Sequence, residues 1–296
     1  MVRIVNDDLA IVENVDIFTP IHDDPIIQGK IVACNATNDV FSMGATNIVS
    51  LQAFLAYPND LPEDIPVGVL KGMSSFMTDL GSRLAGGQTI HNPDPVFGGI
   101  ALGITHPRNI VYSSGARPGD IAVLTKPLGI QPAMRSYRDL QDEKRDAILT
   151  RFEESELRKM QGNAVRLMTQ SNLEVAQAMN EVGVNAATDI TGFGLLGHAT
   201  NVSLLSGVNV VIDKIPVIEG TLSLAEYFGH KLATGLGAET AGGILAFMSP
   251  SKVELFQNHL ADKGLPSWPV GKAVKSDGSP CACLAQDLEF IETEFP

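Results

Sequence analysis

The chain has 296 residues, of which 44% are hydrophobic and 19% charged, a composition typical of a globular protein with about two domains. Its formal net charge of −13 repels nucleic-acid phosphates, so we expect no nucleic-acid partner. No apolar run approaches the roughly 20 residues that cross a bilayer, and three cysteines make a disulfide framework implausible, so we expect a cytoplasmic protein without a membrane partner.

A strand, a helix and a second strand are predicted within the first 55 residues. Residues 9–15 are rich in branched apolar side chains and predict a strand that ends at Asp16. Residues 29–43 follow a proline-containing loop and predict a helix, although the polar Asn38 lies on its apolar face. Residues 48–55 predict the next strand.

A long helix is predicted to begin at Pro66, because proline is favoured in the first helical turn. Apolar side chains then recur at helical spacing, at Leu70, Met73, Met77, Leu80 and Leu84. Residues 86–87 predict a glycine-rich turn. Residues 98–104 predict a strand whose glycines allow another backbone or a ligand to approach closely.

A domain boundary is predicted near residues 106–119, where prolines and glycines supply turns. We therefore expect two domains, residues 1–112 and residues 113–296. The second domain alternates helices with predicted strands at 120–125, 185–189, 208–212, 243–248 and 288–292. This mixture predicts an α+β fold in both domains.

Residues 192–197 (GFGLLG) match the dinucleotide-binding fingerprint G-x-G-x-x-G. A short strand precedes the match and Asp213 follows it, which keeps a dinucleotide-dependent oxidoreductase open as an alternative. We favour a false match, because the preceding strand is short and polar and Asp189 would repel a pyrophosphate without an intervening cation. A P-loop is excluded, since the motif G-x-x-x-x-G-K-[ST] does not occur.

Three aspartates have apolar surroundings and no basic neighbour in sequence: Asp16, Asp39 and Asp189. A carboxylate in such a place is costly unless a cation or hydrogen bonds hold it. Mg²⁺ binds through a few carboxylates and phosphate oxygens, and glycine-rich turns at 86–87 and 192–197 can offer backbone N–H groups to phosphates. The alternative, that each aspartate caps a turn or a helix, stays open.

Six segments resemble those of the selenophosphate synthetase (selenide, water dikinase) family. They are residues 15–25 (VDIFTPIHDDP, similar to (T/V)DFFTPIVDDP), 35–44 (NATNDVFSMG), 86–89 (GGQT, with PDP at 93–95), 124–129 (LTKPLG), 188–198 (TDITGFGLLGH) and 239–243 (ETAGG). The segments run in the family's order, and the one at 188–198 is the most specific. The resemblance therefore covers nearly the whole chain.

The resemblance implies the two-domain fold of the aminoimidazole ribonucleotide synthetase-like superfamily, with N-terminal domains paired across a homodimer and a C-terminal α/β sandwich. It implies a phosphotransferase that converts ATP, selenide and water to selenophosphate, phosphate and AMP. Asp16 and Asp39 would contact ATP and its metals, and Asp39 and Asp189 would bind Mg²⁺. Gly86, Gly87, Gln88 and Thr89 would reach the nucleotide of the partner subunit.

The family pattern also includes a glycine-rich segment with a cysteine or selenocysteine, a catalytic lysine and a further aspartate before the first strand. No lysine precedes Lys30 and no cysteine precedes Cys34, which we expect to be a buried small residue. We therefore expect this chain to be N-terminally truncated, without a catalytic residue of its own, and inactive as given.

Two further alternatives remain. One is a catalytically dead relative that binds nucleotide or a protein partner. The other is a sister kinase of the same superfamily that acts on thiamine phosphate or a purine precursor, and the segments at 16–25 and 124–129 argue against it.

Overall fold

A computed structural model describes residues 1–295. It divides into two compact units, residues 1–110 with 168–180, and residues 111–167 with the chain from 181 onward. Each unit contains one sheet and several helices, which confirms the predicted α+β class. The domain bounds 1–112 and 113–296 stay a prediction, to which the packing adds that residues 168–180 belong with the first unit. No helix within residues 1–295 has both the length and the apolar character needed to cross a membrane.

The first unit is built on a five-stranded sheet with the order β1-β2-β5-β3-β4. The strands are β1 (Val2–Ile4), β2 (Ala10–Phe18), β3 (Asn47–Tyr57), β4 (Leu84–His91) and β5 (Val96–Thr105), and the helices are α1 (Pro25–Ser42) and α2 (Asp64–Asp79). Strands β3 and β4 are parallel, whereas β5 is antiparallel to both β2 and β3. Strand β4 is therefore an edge strand that follows the α2 crossover.

Helix α1 begins where Asp24 caps it, since the Asp24 carboxylate accepts hydrogen bonds from the N–H groups of Ile26 and Ile27 at 2.8 and 3.2 Å. Pro25 occupies the first turn, where its missing N–H costs nothing. The helix packs against β2 and β5, and it buries one face of the sheet.

Helices α1 and α2 approach each other backbone to backbone through glycines. A Cβ atom on Gly29 would lie 2.0 Å from the carbonyl oxygen of Val69, and one on Gly72 would lie 2.0 Å from that of Ile26. No side chain fits at either position, so the two glycines set the closeness of the helix pair.

The apolar stripe predicted along α2 is correct only up to the end of that helix. Met73 and Met77 are fully buried, but the helix ends at Asp79 and Gly81 follows with φ of +69°. Leu84 therefore belongs to β4 and not to the helix. The glycine-rich turn predicted at 86–87 is wrong, because these residues continue the edge strand β4 beside β3.

The second unit is built on a six-stranded sheet with the order β11-β8-β10-β6-β9-β7. Its strands are β6 (Ile121–Leu124), β7 (Ala186–Asp189), β8 (Val208–Ile218), β9 (Ile244–Met248), β10 (Trp268–Lys275) and β11 (Ala282–Thr293). The helices along this part of the chain are α3 (Ile130–Asp139), α4 (Arg145–Leu149), α5 (Glu154–Thr169), α6 (Leu173–Val182), α7 (Gly194–Ser206), α8 (Thr221–Phe228) and α9 (Pro250–Ala261).

Strands β6, β9 and β7 position the segments that carry the sequence motifs. Strand β9 is fully buried and is antiparallel to both neighbours, with Leu124 opposite Leu245 and Asp189 opposite Ile244. The ends of β6 and β7 therefore lie beside the start of β9. This arrangement brings residues 125–130, 190–194 and 239–243 to one edge of the sheet.

Candidate functional site

Asp16 and Asp39 lie together where β2 meets α1. Asp16 is near the end of β2, on the face that α1 covers, and its Oδ2 accepts a hydrogen bond of 2.7 Å from Asn35 Nδ2. Asp39 follows Asn35 by one helical turn and so lies on the same side of α1. Burial, and next the Asp39 charge, raise the pKa of Asp16 to about 6. Hydrogen bonds from Ile17 and Asn35 act in the opposite direction.

This carboxylate pair fits a magnesium ion by its chemistry. No basic side chain of the described residues contributes to the charge balance of Asp16, and hard oxygen donors are the ligands that Mg²⁺ prefers. Within residues 1–295, no group of three or more His, Cys, Asp or Glu side chains is arranged to hold a metal. A pair is nevertheless sufficient for Mg²⁺, which is usually bound by one or two carboxylates together with substrate phosphates and water.

Buried polar side chains hold α1 in place next to this pair. Asn38 is fully buried, and its Oδ1 accepts a hydrogen bond from Asn172 Nδ2. Cys34 is buried, as expected, and its Sγ donates to the carbonyl oxygen of Gln170 at 3.3 Å. The polar residue on the apolar face of α1 is thus explained by a partner in residues 168–180, the segment that joins the first unit.

Gly86, Gly87, Gln88 and Thr89 are exposed on β4 and line a cavity of about 370 Å³. The other lining residues are apolar: Ala53, Leu55, Leu70 and Leu84. A Cβ atom on Gly87 would lie 2.0 Å from the carbonyl oxygen of Ala53, so only glycine fits there. The open edge of β4 offers backbone donors and acceptors beside this cavity.

The sheet register relates the two groups of predicted ATP-binding residues. Asp16 pairs with Gly99, Gly99 with Ala53, and Ala53 with Gly87. Asp16 and Gly87 therefore lie in one row across the sheet but are separated by three strand spacings, about 14 Å. Within the unit, the structure brings Asp16 and Asp39 together and leaves residues 86–89 apart from them.

Asp189 is the last residue of β7 and belongs to the second unit, where it is buried. The next segment forms a tight turn in which the Thr191 N–H donates to His198 Nε2 at 3.2 Å. Gly194 has φ of +68°, and a Cβ atom there would lie 2.6 Å from the carbonyl oxygen of Gly237. Gly194 thus serves close backbone packing, whereas a Cβ atom on Gly192 would meet no atom within 4 Å. The role of Asp189 as a metal ligand stays a prediction.

Two buried charged residues near the same sheet edge were not singled out from the sequence. Glu239 accepts hydrogen bonds from the N–H groups of Gly129 and Ile130 at 2.8 and 2.9 Å. Burial raises its pKa to about 8, although these two bonds oppose the rise. Lys126 Nζ donates to the carbonyl oxygens of Leu167 and Ala241 at 2.8 and 2.9 Å. Both residues lie in segments that resemble the family, 124–129 and 239–243, and this position could have indicated them from the sequence.

Two family models match successive parts of the chain. Residues 1–105 match the AIR synthase related protein N-terminal domain, and residues 117–280 match the corresponding C-terminal domain. Selenide, water dikinase from Methanococcus maripaludis is 38% identical over 296 residues, which cover 98% of this chain and 87% of that protein. The chain belongs to the selenide, water dikinase family. The enzyme from Methanocaldococcus jannaschii is also 38% identical, and the alignment covers 96% of this chain and 82% of that protein.

Solved structures outside the selenide, water dikinases share the fold at low identity. Thiamine-monophosphate kinase from Stenotrophomonas maltophilia has a TM-score of 0.75 at 17% identity, with 94% of this chain and 85% of that chain covered. Hydrogenase maturation protein HypE, solved in complex with ATP, has a TM-score of 0.71 at 18% identity, with coverages of 90% and 77%. These likenesses confirm the predicted two-domain fold of the superfamily.

Proposed function

We propose that this protein is a selenide, water dikinase that converts ATP, selenide and water to selenophosphate, phosphate and AMP. The observation that carries the proposal is the Asp16–Asp39 pair, which lies in the segments that resemble the family and in which the Asp39 charge helps to raise the pKa of Asp16. The 38% identity to named dikinases over almost the whole chain supports the same reaction.

Mg²⁺, when bound, would neutralise the triphosphate and the charge that develops on the transferring phosphoryl group. Asp16 and Asp39 would hold it. The family motif at 188–198 makes Asp189 a further candidate metal ligand. Asn35 orients the Asp16 carboxylate through its hydrogen bond and favours the ionised form that a metal requires. The burial of Asp16 makes its ionised form costly without a cation, and this cost favours metal binding.

We further propose a homodimer in which β4 serves the site of the partner subunit. The distance of three strands between Asp16 and Gly87 supports this arrangement, because residues 86–89 do not contact the carboxylate pair of their own chain. The face of the first sheet opposite to α1 also carries exposed apolar side chains, with Val15 at 59% and Ile17 at 41% exposure. Such a face is suited to pairing with an identical sheet.

The cysteines support a reducing, cytoplasmic location. Cys281 and Cys283 are exposed and form no disulfide. Exposed free thiols persist in reducing compartments, where disulfides are rare.

The test is an assay of the protein expressed from its complete reading frame with Mg-ATP and selenide. Phosphorus NMR should detect selenophosphate and AMP, and both should disappear in Asp39→Asn. ATP binding without selenophosphate would support the alternative of a catalytically dead relative. Phosphorylation of thiamine phosphate or of a purine precursor, without selenide dependence, would refute the assignment.

A further inference from the structure

The Glu239 carboxylate contacts the start of α3 in the second unit. Its two oxygens accept the N–H groups of Gly129 and Ile130, one each, at 2.8 and 2.9 Å. These N–H groups have no partner inside the helix, and the positive end of the helix dipole lies there. Only 4% of Glu239 is exposed, so the contact is a buried anchor and not a surface ion pair.

The segment that Glu239 anchors is bonded to the residues that follow Asp189. The Glu239 N–H donates to the carbonyl oxygen of Thr191 at 3.1 Å. The Ile190 N–H donates to the carbonyl oxygen of Gly243 at 2.8 Å. A Cβ atom on Gly242 would lie 2.2 Å from the carbonyl oxygen of Ile190, so the two segments are in backbone contact. A displacement of residues 239–243 would therefore displace the end of β7.

The same segment contains a residue with an unusual backbone conformation. Ala241 has φ of +48°, a region that residues with a Cβ atom rarely occupy. The Ala241 carbonyl oxygen accepts a hydrogen bond of 2.9 Å from the buried Lys126 Nζ. Strained backbone persists where the surroundings enforce it, and here Glu239 and Lys126 supply part of that enforcement.

We infer that Glu239 is a positioning residue for Asp189, which it holds in the orientation needed to bind the metal. The inference rests on the proposed function, because Asp189 is a metal ligand only under that proposal. Glu239 acts through the backbone of residues 190–191 and does not itself touch the metal or the nucleotide. Partners that orient a metal ligand typically contribute about 10- to 100-fold to metal affinity.

The experiment compares four variants with the wild type: Glu239→Ala, Glu239→Gln, Asp189→Ala and Asp120→Asn. Asp120→Asn is the matched control, since Asp120 is also a buried carboxylate and accepts the Arg117 N–H at 2.8 Å. It precedes β6, whereas Gly129 follows that strand, so Asp120 lies at the opposite end of the sheet. The measurements are the Kd of Mn²⁺ with a non-hydrolysable ATP analogue, the unfolding midpoint, and hydrogen exchange of residues 189–195 without metal.

We expect Glu239→Ala to raise the Mn²⁺ Kd by about 10-fold or more and to accelerate exchange at Ile190. Glu239→Gln retains one acceptor oxygen and should give an intermediate Kd. Asp120→Asn should lower the unfolding midpoint without changing the Kd. The inference is overturned if Glu239→Ala, or Glu239→Gln should the alanine variant not fold, binds Mn²⁺ as the wild type does. An unchanged Kd in Asp189→Ala would instead refute the metal assignment of the proposed function.

Discussion

Asn35 and Asp16 are joined by a hydrogen bond of 2.7 Å that connects the middle of α1 to the end of β2. The bond favours the ionised Asp16, while burial and Asp39 favour the protonated form. The protonation state of Asp16 thus depends on opposing effects, and single substitutions can change it.

Asn35→Ala should raise the pKa of Asp16 above its value of about 6, because it removes a donor that favours the ionised form. Carbon NMR titration of the Asp16 carboxyl group in metal-free protein measures the change. Asn14→Ala is the control, since Asn14 Nδ2 donates to the Ala36 carbonyl oxygen and has no bond to Asp16. A pKa that stays the same or falls in Asn35→Ala would contradict the balance described above.

Asp16 should make the metal-free protein less stable as the pH rises. Its folded pKa of about 6 lies above the ordinary value of 3.8, so its contribution is present below pH 3.8 and is lost as the pH passes 6. Asp16→Asn should therefore raise the free energy of unfolding at pH 7 by roughly 1–2 kcal/mol, a figure reduced for partial exposure. The gain in the free energy of unfolding should disappear near pH 4. Urea titrations at both pH values would measure it, and a variant less stable than the wild type at pH 7 would disprove the prediction.

Gly29→Ala and Gly72→Ala should each destabilise the first unit by about 2–3 kcal/mol or more, because the added Cβ would overlap a backbone oxygen of the facing helix. Gly162→Ala is the matched control within a helix. It has no neighbouring atom within 4 Å of the added Cβ, and it should gain about 0.5–1 kcal/mol from the better helix propensity of alanine. Thermal or urea unfolding would measure all three, and equal effects would exclude close packing as the cause.

Subunit complementation tests whether β4 serves the partner's site. In the protein expressed from its complete reading frame, Asp39→Asn and the double variant Gln88→Ala, Thr89→Ala should each be inactive as homodimers. Co-refolding them in equal amounts should restore about a quarter of wild-type activity, since half of the dimers are mixed and each has one intact site. Gln88 and Thr89 are exposed, so their replacement should not disturb folding. No recovery in mixed dimers would indicate that each chain completes its own site.

The elements with strong periodicity were predictable. The strand at 98–104 and the helix at 29–43 correspond to β5 and α1, because alternation and helical spacing mark buried faces directly. Strand β4 was missed because its residues are exposed and rich in glycine, so buried and exposed side chains do not alternate along it. Strand β10 was missed because Pro269 and Gly271 interrupt it at a shift in register.

The residues of the candidate site are a prediction from the sequence, and their spatial arrangement was not predictable from it. The aspartates were identified from their motifs, yet the row that joins Asp16 to Gly87 depends on strand order, which local sequence does not contain. The buried Asn38 was puzzling in sequence because its partner, Asn172, is 134 residues away. Glu239 was overlooked for the same reason, since its partners Gly129 and Ile130 are more than a hundred positions earlier.

Residues 168–180 pack with the first unit although the second unit flanks them in sequence, so neither unit is a continuous stretch of polypeptide. During translation, the first unit cannot be completed until the ribosome has passed residue 180 and has already produced part of the second. A single cut near residue 112 would leave α1 without Asn172 and Gln170. An N-terminal fragment that ends at that point should therefore be an incomplete folding unit. A fragment that also carries residues 168–180 should contain all of the first unit.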